Sequence, residues 1–182
     1  MMIRVFNLKP YIKYIIVFLL LIILVVGIGA FKPAVINVWS QNQGREIPIY
    51  SVECSEKKAA ITFDCAWGAD DIPDILQTLK EENIKATFFI VGQWAEKFPD
   101  KVKMIAKDGH DIGNHSYSHL RMGALGSDRI SSEISLSGKK LSELSGSKVE
   151  LFRAPYGDYS NNVVSIARRL GYYTIQWNVE PI

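Results

Sequence analysis

The chain has 182 residues, of which 22% are charged and 48% hydrophobic, and a formal net charge of +2 at pH 7. That balance excludes wholesale disorder and collagen-like repeats, and it lacks the basic excess of a nucleic-acid binder. Two cysteines are too few for a disulfide-built scaffold.

The first feature in chain order is apolar. Tyr14 to Phe31, YIIVFLLLIILVVGIGAF, carries no charge. As a helix rising about 1.5 Å per residue it would cover roughly 27 Å, close to the hydrocarbon thickness of a bilayer. Arg4, Lys9 and Lys13 precede it, and no acidic residue occurs before Glu46. This bias predicts a cytoplasmic tail over 1–13, a single-pass anchor in the cell membrane over 14–31, and an extracytoplasmic remainder. Gly27 and Gly29 leave a cleaved signal peptide open, although its apolar core usually runs only about 7–15 residues. Either reading exports the rest of the chain.

Residues 32–56 show no clear period and read as a stalk, and residues 57–182 as the domain. Within it, Ala59 to Phe63 is a short apolar strand, followed by a helix that Asp70 or Asp71 can cap, with Ile72, Ile75, Leu76 and Leu79 on one face. Ala86 to Val91 reads as a second strand, and Pro99 to Lys107 as a helix closed at Gly109. His110 to Asn114 is a short extended piece. Ser127 or Asp128 can cap a helix to about Leu144. Val149 to Phe152 is a strand, Asn161 to Leu170 a helix closed by Gly171, and Tyr172 to Trp177 a last strand. Strand and helix in alternation predict an α/β fold with a parallel sheet. The stretch from Ala59 to Ile182 is shorter than the roughly 200 residues of a complete α/β barrel, so an incomplete (β/α) barrel is expected.

Reactive groups cluster where strands end, the usual place for catalysis in such folds. They are Asp64-Cys65, His115-Ser-Tyr-Ser-His119, Arg153-Ala-Pro-Tyr156-Gly157 and Trp177-Asn-Val-Glu180. Two histidines four apart share one side of a helical turn and can share a metal ion, or they can be solvated or capping residues. Asp64 follows an apolar strand, where an unpaired carboxylate is costly, and Arg153 could pair with it as an orienting partner or as a structural ion pair. His110, the third histidine, reads as structural.

These motifs, in this order, resemble the polysaccharide deacetylases (carbohydrate esterase family 4, the NodB-homology domain). Thr62-Phe-Asp64-Cys65-Ala-Trp67-Gly68 resembles the first motif, usually Thr-Phe-Asp-Asp-Gly. His115-Ser-Tyr-Ser-His119 matches the second, Arg153-Ala-Pro-Tyr156-Gly157 looks like the third, and Trp177-Asn-Val-Glu180 resembles the start of the fourth. The Ala-Trp-Gly form behind a single anchor is most similar to the sporulation-associated branch of spore-forming Gram-positive bacteria.

The resemblance implies an enzyme that hydrolyses N-acetyl groups of cell-wall polysaccharide, peptidoglycan or chitin-like. It implies a divalent metal, usually zinc, on His115 and His119, with Cys65 at the position of the family's third ligand, an aspartate. Asp64 would be the general base, Arg153 would orient it, and the backbone N–H of Tyr156 would help hold the oxyanion. Cys65 could instead pack, or bond to Cys54. Glu180 stands where Asp is usual, and the motif carrying the family's general-acid histidine is expected beyond Ile182. A non-catalytic glycan-binding relative and an inactive fragment are the alternatives.

Overall fold

A computed structural model describes residues 44–179 and Phe18. Apart from Phe18, the apolar run 14–31 lies outside the described residues, as does Glu180. Among the described residues no helix is long and apolar enough to cross a membrane.

The order of elements is β1 (Thr62–Cys65), α1 (Ile72–Glu81), β2 (Thr87–Ile90), α2 (Gly92–Lys97), α3 (Pro99–Lys107), β3 (Asp111–Asn114), α4 (Ser127–Ser145), β4 (Leu151–Phe152), a 3₁₀ turn (Pro155–Gly157), α5 (Asn161–Arg169) and β5 (Tyr173–Thr174). The five strands form one parallel sheet in the order β1-β2-β3-β4-β5. Strand-to-strand crossovers through helices produce this sequential arrangement. One register row runs across the whole sheet, through Cys65, Ile90, Asn114, Phe152 and Thr174.

The helices follow their apolar stripes. Ile72, Leu76 and Leu79 of α1, Val102 and Ile105 of α3, and Ile130, Ile134 and Leu141 of α4 are buried. One core cluster joins Cys65, Phe88 and Ile90 to Ile72, Leu76, Val102 and Ile105; a second joins Phe152 to Met122, Ile130, Ile134, Val163 and Ile166. The helix starts differ from expectation. Asp71 occupies the N-cap of α1 without a side-chain cap bond, and Gly126, not Ser127, is the N-cap of α4. The short α2 was not anticipated, because six residues hold too little periodicity to register.

The domain also begins earlier than position 57. Ile49 pairs with Ile175 beside β5, its N–H donating to the Thr174 carbonyl at 2.8 Å and its carbonyl accepting from Gln176 at 2.8 Å. Glu46 pairs with Arg168 at 2.6 Å. Part of the expected stalk, from Glu46 to Ile49, is therefore tied to α5 and to the sheet edge.

Two local features carry stability consequences. Gly138 sits in the middle of α4, where glycine normally costs about 1 kcal/mol relative to alanine, yet a Cβ there would overlap the Tyr172 hydroxyl. Gly138→Ala is therefore expected to lower stability by about 1–3 kcal/mol in urea unfolding; a gain would contradict this close approach. His110 is buried and accepts the Ala86 N–H on Nδ1 at 3.2 Å, and burial, aided by Lys85, holds its pKa below the ordinary value. The unfolded chain binds that proton more readily, so stability falls as pH drops through about 6.5. The melting temperature should fall between about pH 7.5 and 5.5, with a shallower slope in His110→Gln; an unchanged slope would assign the dependence elsewhere.

Candidate active site

Of the predicted residues, Asp64, His115, His119, Arg153 and Tyr156 come together at the carboxyl ends of the strands. Asp64 lies one residue before the register row, and His115 and Arg153 one residue after it, so strand alternation turns all three to the same face. On that face Asp64, Phe89 and Gly113 are in register. A Cβ at Gly113 would overlap the Phe89 ring, so the glycine is what lets this ring lie there.

Arg153 rests on that ring. Its guanidinium carbon is 4.0 Å from the Phe89 centroid and 5.4 Å from that of Trp177. Nη1 donates to Asp64 Oδ1 at 2.6 Å and to Thr62 Oγ1 at 2.9 Å. Arg153 is 3% exposed, whereas the Asp64 side chain is 36% exposed. A buried cation demands a partner. The pairing therefore fixes one carboxylate oxygen and leaves the other open, 3.6 Å from His115 Nε2.

His115 is buried, and its Nδ1 lies 2.8 Å from the Arg153 carbonyl. A carbonyl only accepts, so Nδ1 carries the proton and Nε2 keeps its lone pair on the Asp64 side. Burial pushes the His115 pKa down, against the opposing pull of Asp64, and burial also lowers that of His119. The two rings are 5.1 Å apart, and the buried His119 Nδ1 has no hydrogen-bond partner. Two neutral imidazoles with unused lone pairs are the donor chemistry that a divalent transition metal takes.

The pair is not made by a helical turn, as the spacing suggested. Ser116 and His119 have φ of 64° and 55°, and the Ser116 hydroxyl accepts the His119 N–H at 3.1 Å. A folded loop brings the rings together.

Tyr156 also has a left-handed backbone, φ 60° and ψ 12°, inside the 3₁₀ turn. Such a conformation in a bulky residue is an outlier of the kind that clusters at working sites. Its ring lies 4.7 Å from His119, with the Arg121 guanidinium 4.6 Å over it. Trp67, 76% exposed, meets His119 edge-on at 5.5 Å. An open cleft of about 430 Å³ runs beside β1, bordered by Asp64, Trp67, Asp70 and Asp71.

Cys65 does not join the histidines. It lies in the register row, and its side chain packs in the first core cluster with Ile72 and Leu76. Burial, reinforced by Asp64 and Asp71, pushes its thiol up to about 12, and it is not bonded to Cys54, which is exposed. Among the described residues no group of three or more His, Cys, Asp or Glu is placed to hold a metal ion. The packing alternative is what the fold realises, for a reason of period two: neighbours in a strand face opposite ways.

Sequence reasoning passed over three supporting residues, Thr62, Phe89 and Glu133. Glu133 left a signal: it sits on the buried stripe of α4 between Ile130 and Ile134, where a carboxylate needs an explanation.

Comparison with known proteins gives the family. The profile of the polysaccharide deacetylase family matches residues 51–175. A peptidoglycan-N-acetylglucosamine deacetylase of Bacillus cereus is 37% identical over 133 residues, covering 73% of this chain and 48% of that protein. The peptidoglycan-N-acetylmuramic acid deacetylase PdaA of Bacillus subtilis is 31% identical, covering 71% and 50%. The crystal structure of a CE4 family pseudoenzyme from Bacillus anthracis superposes with a TM-score of 0.71 at 35% identity, covering 73% of this chain and 47% of that one. The chain thus spans about half the length of these relatives. By its profile, its relatives and its fold, the chain belongs to the polysaccharide deacetylase family.

Proposed function

We propose that this protein hydrolyses N-acetyl groups on a cell-wall polysaccharide outside the cell membrane, releasing acetate and leaving a free amine on the glycan. The observation that carries this is Asp64, held at one oxygen by buried Arg153 and open at the other beside His115. Asp64 takes the proton from the attacking water through that open oxygen, a general-base role. Arg153 keeps the carboxylate ionised and aimed, and the Phe89 face keeps Arg153 in place. The Tyr156 backbone N–H donates to the developing oxyanion.

His115 and His119 would hold the metal, with zinc the best match for imidazole donors. A divalent cation there supplies positive charge for the acetyl carbonyl and the attacking water. Cys65 stays with the core. The anchor over 14–31 would keep the domain at the outer face of the cell membrane, likeness to PdaA supports a peptidoglycan substrate, and the Ala66-Trp67-Gly68 form of the first motif is the ground for a role in sporulation.

A second reading is favoured by one observation. Cys65 stands where the family's metal-binding aspartate is expected and is packed away from the histidines, which fits a glycan-binding relative without catalysis. Zinc binding and acetate release, measured on the full chain in detergent with peptidoglycan fragments, separate the two. For the enzyme, Asp64→Asn should cut acetate release by about 10²–10⁴ while zinc still binds. His119→Ala should abolish zinc binding, and Cys65→Ala should leave zinc affinity nearly unchanged. Glycan binding with neither zinc nor acetate release would establish the second reading.

A further inference from the structure

The loop that carries both histidines satisfies its backbone groups in two directions. Its carbonyls turn to α2: Ser116 O accepts from Gly92 N at 2.9 Å and Tyr117 O from Gln93 N at 3.0 Å. The amides of its two central residues, Tyr117 and Ser118, turn the other way, to a single side chain. Glu133 Oε2 accepts from Tyr117 N at 3.0 Å and from Ser118 N at 2.7 Å, while Oε1 accepts from the Ser118 hydroxyl at 2.7 Å and from Arg129 at 2.8 Å. Glu133 is 2% exposed and lies on the core-facing stripe of α4.

A carboxylate in that place is costly. Burying it takes several kcal/mol of hydration energy, whereas a helical i,i+4 pair with a half-exposed arginine returns only about 0.3–0.5 kcal/mol. The pair with Arg129 therefore does not account for it. Four donors converging on two oxygens do, since buried amides without an acceptor are themselves costly. The amides it holds belong to the residues between His115 and His119, in a loop whose flanking backbone is left-handed at Ser116 and at His119.

We propose that Glu133 is the positioning residue of the histidine loop: its buried carboxylate holds the Tyr117 and Ser118 amides and thereby sets where His119 stands relative to His115. Glu133 touches neither ring and acts through the loop backbone. Its consequence for metal affinity rests on the metal pair proposed above; its consequence for the loop does not.

Three side chains at position 133 separate this from simpler roles. Glu133→Gln keeps an oxygen for the two amides and turns its NH₂ to the Ser118 hydroxyl, but loses the charge. Glu133→Met fills the same space and accepts nothing. Amide exchange of the full chain in detergent, followed by NMR without metal, should show Tyr117 and Ser118 protected like Phe88 and Phe89 of β2. Protection of the two loop amides should survive in Glu133→Gln and collapse in Glu133→Met while the β2 amides stay protected. Zinc affinity, read by competition with a chromophoric chelator, should fall about 10–100-fold in Glu133→Met and stay near wild type in Glu133→Gln.

Unprotected Tyr117 and Ser118 amides in the wild type would overturn the proposal, and this holds even if Glu133→Met does not fold. So would intact loop protection in Glu133→Met, or a Glu133→Gln variant as impaired as the methionine one, which would make the charge the cause. A wild type that binds no zinc would refute the metal pair alone, and the exchange pattern would still decide the role of Glu133.

Discussion

The site depends on one buried cation. Arg153 leaves β4 into a position almost free of water, where its charge is tolerable only with a carboxylate opposite and an aromatic face beneath. Asp64 from β1 supplies the first and Phe89 from β2 the second, while the Arg153 carbonyl orients His115 after β3. One residue thus links the ends of four strands. Its guanidinium fixes one oxygen of Asp64 and its carbonyl the tautomer of His115, so structural and chemical requirements coincide.

The parallel sheet makes this economical. Short strands in sequential order share a register row, and residues just before or after that row point to the same side. Asp64, His115 and Arg153 use that side. Cys65, Asn114 and Phe152 occupy the row itself and serve the helices: Asn114 donates to the Ile134 carbonyl of α4, and Phe152 anchors the second core cluster. A single step along the chain separates a reactive group from a packing group.

That step bears on the comparison with relatives. The chain is alike in sequence to peptidoglycan deacetylases and alike in fold to a CE4 family pseudoenzyme. The site holds a carboxylate–arginine pair and two imidazoles with free nitrogens. The residue after Asp64 is Cys65, whose thiol is kept protonated by burial and by two nearby carboxylates. Chemistry at this site therefore turns on whether two histidines and their loop suffice to hold a metal.

Much of the architecture was legible in the chain itself. The apolar stripe of α4, the left-handed glycines after α3, α4 and α5, and the apolar runs of β2 and β4 are local signals, and local signals are written in period and in turn chemistry. The residues that gather at the candidate site were also legible, because Asp64, His115, His119, Arg153 and Tyr156 all fall at strand ends in the order of a known family. Other things needed the third dimension. The face taken by Cys65 depends on where β1 ends, and the strand runs on to Cys65, past the apolar run that stops at Phe63. The histidines meet through a left-handed loop, the N-terminal segment pairs with β5 through Ile49, and Glu133 finds its four donors only after α4 docks. The last two are contacts between segments apart in sequence, and no local pattern specifies such a contact; the first two depend on how far a strand runs and on the backbone path of a loop.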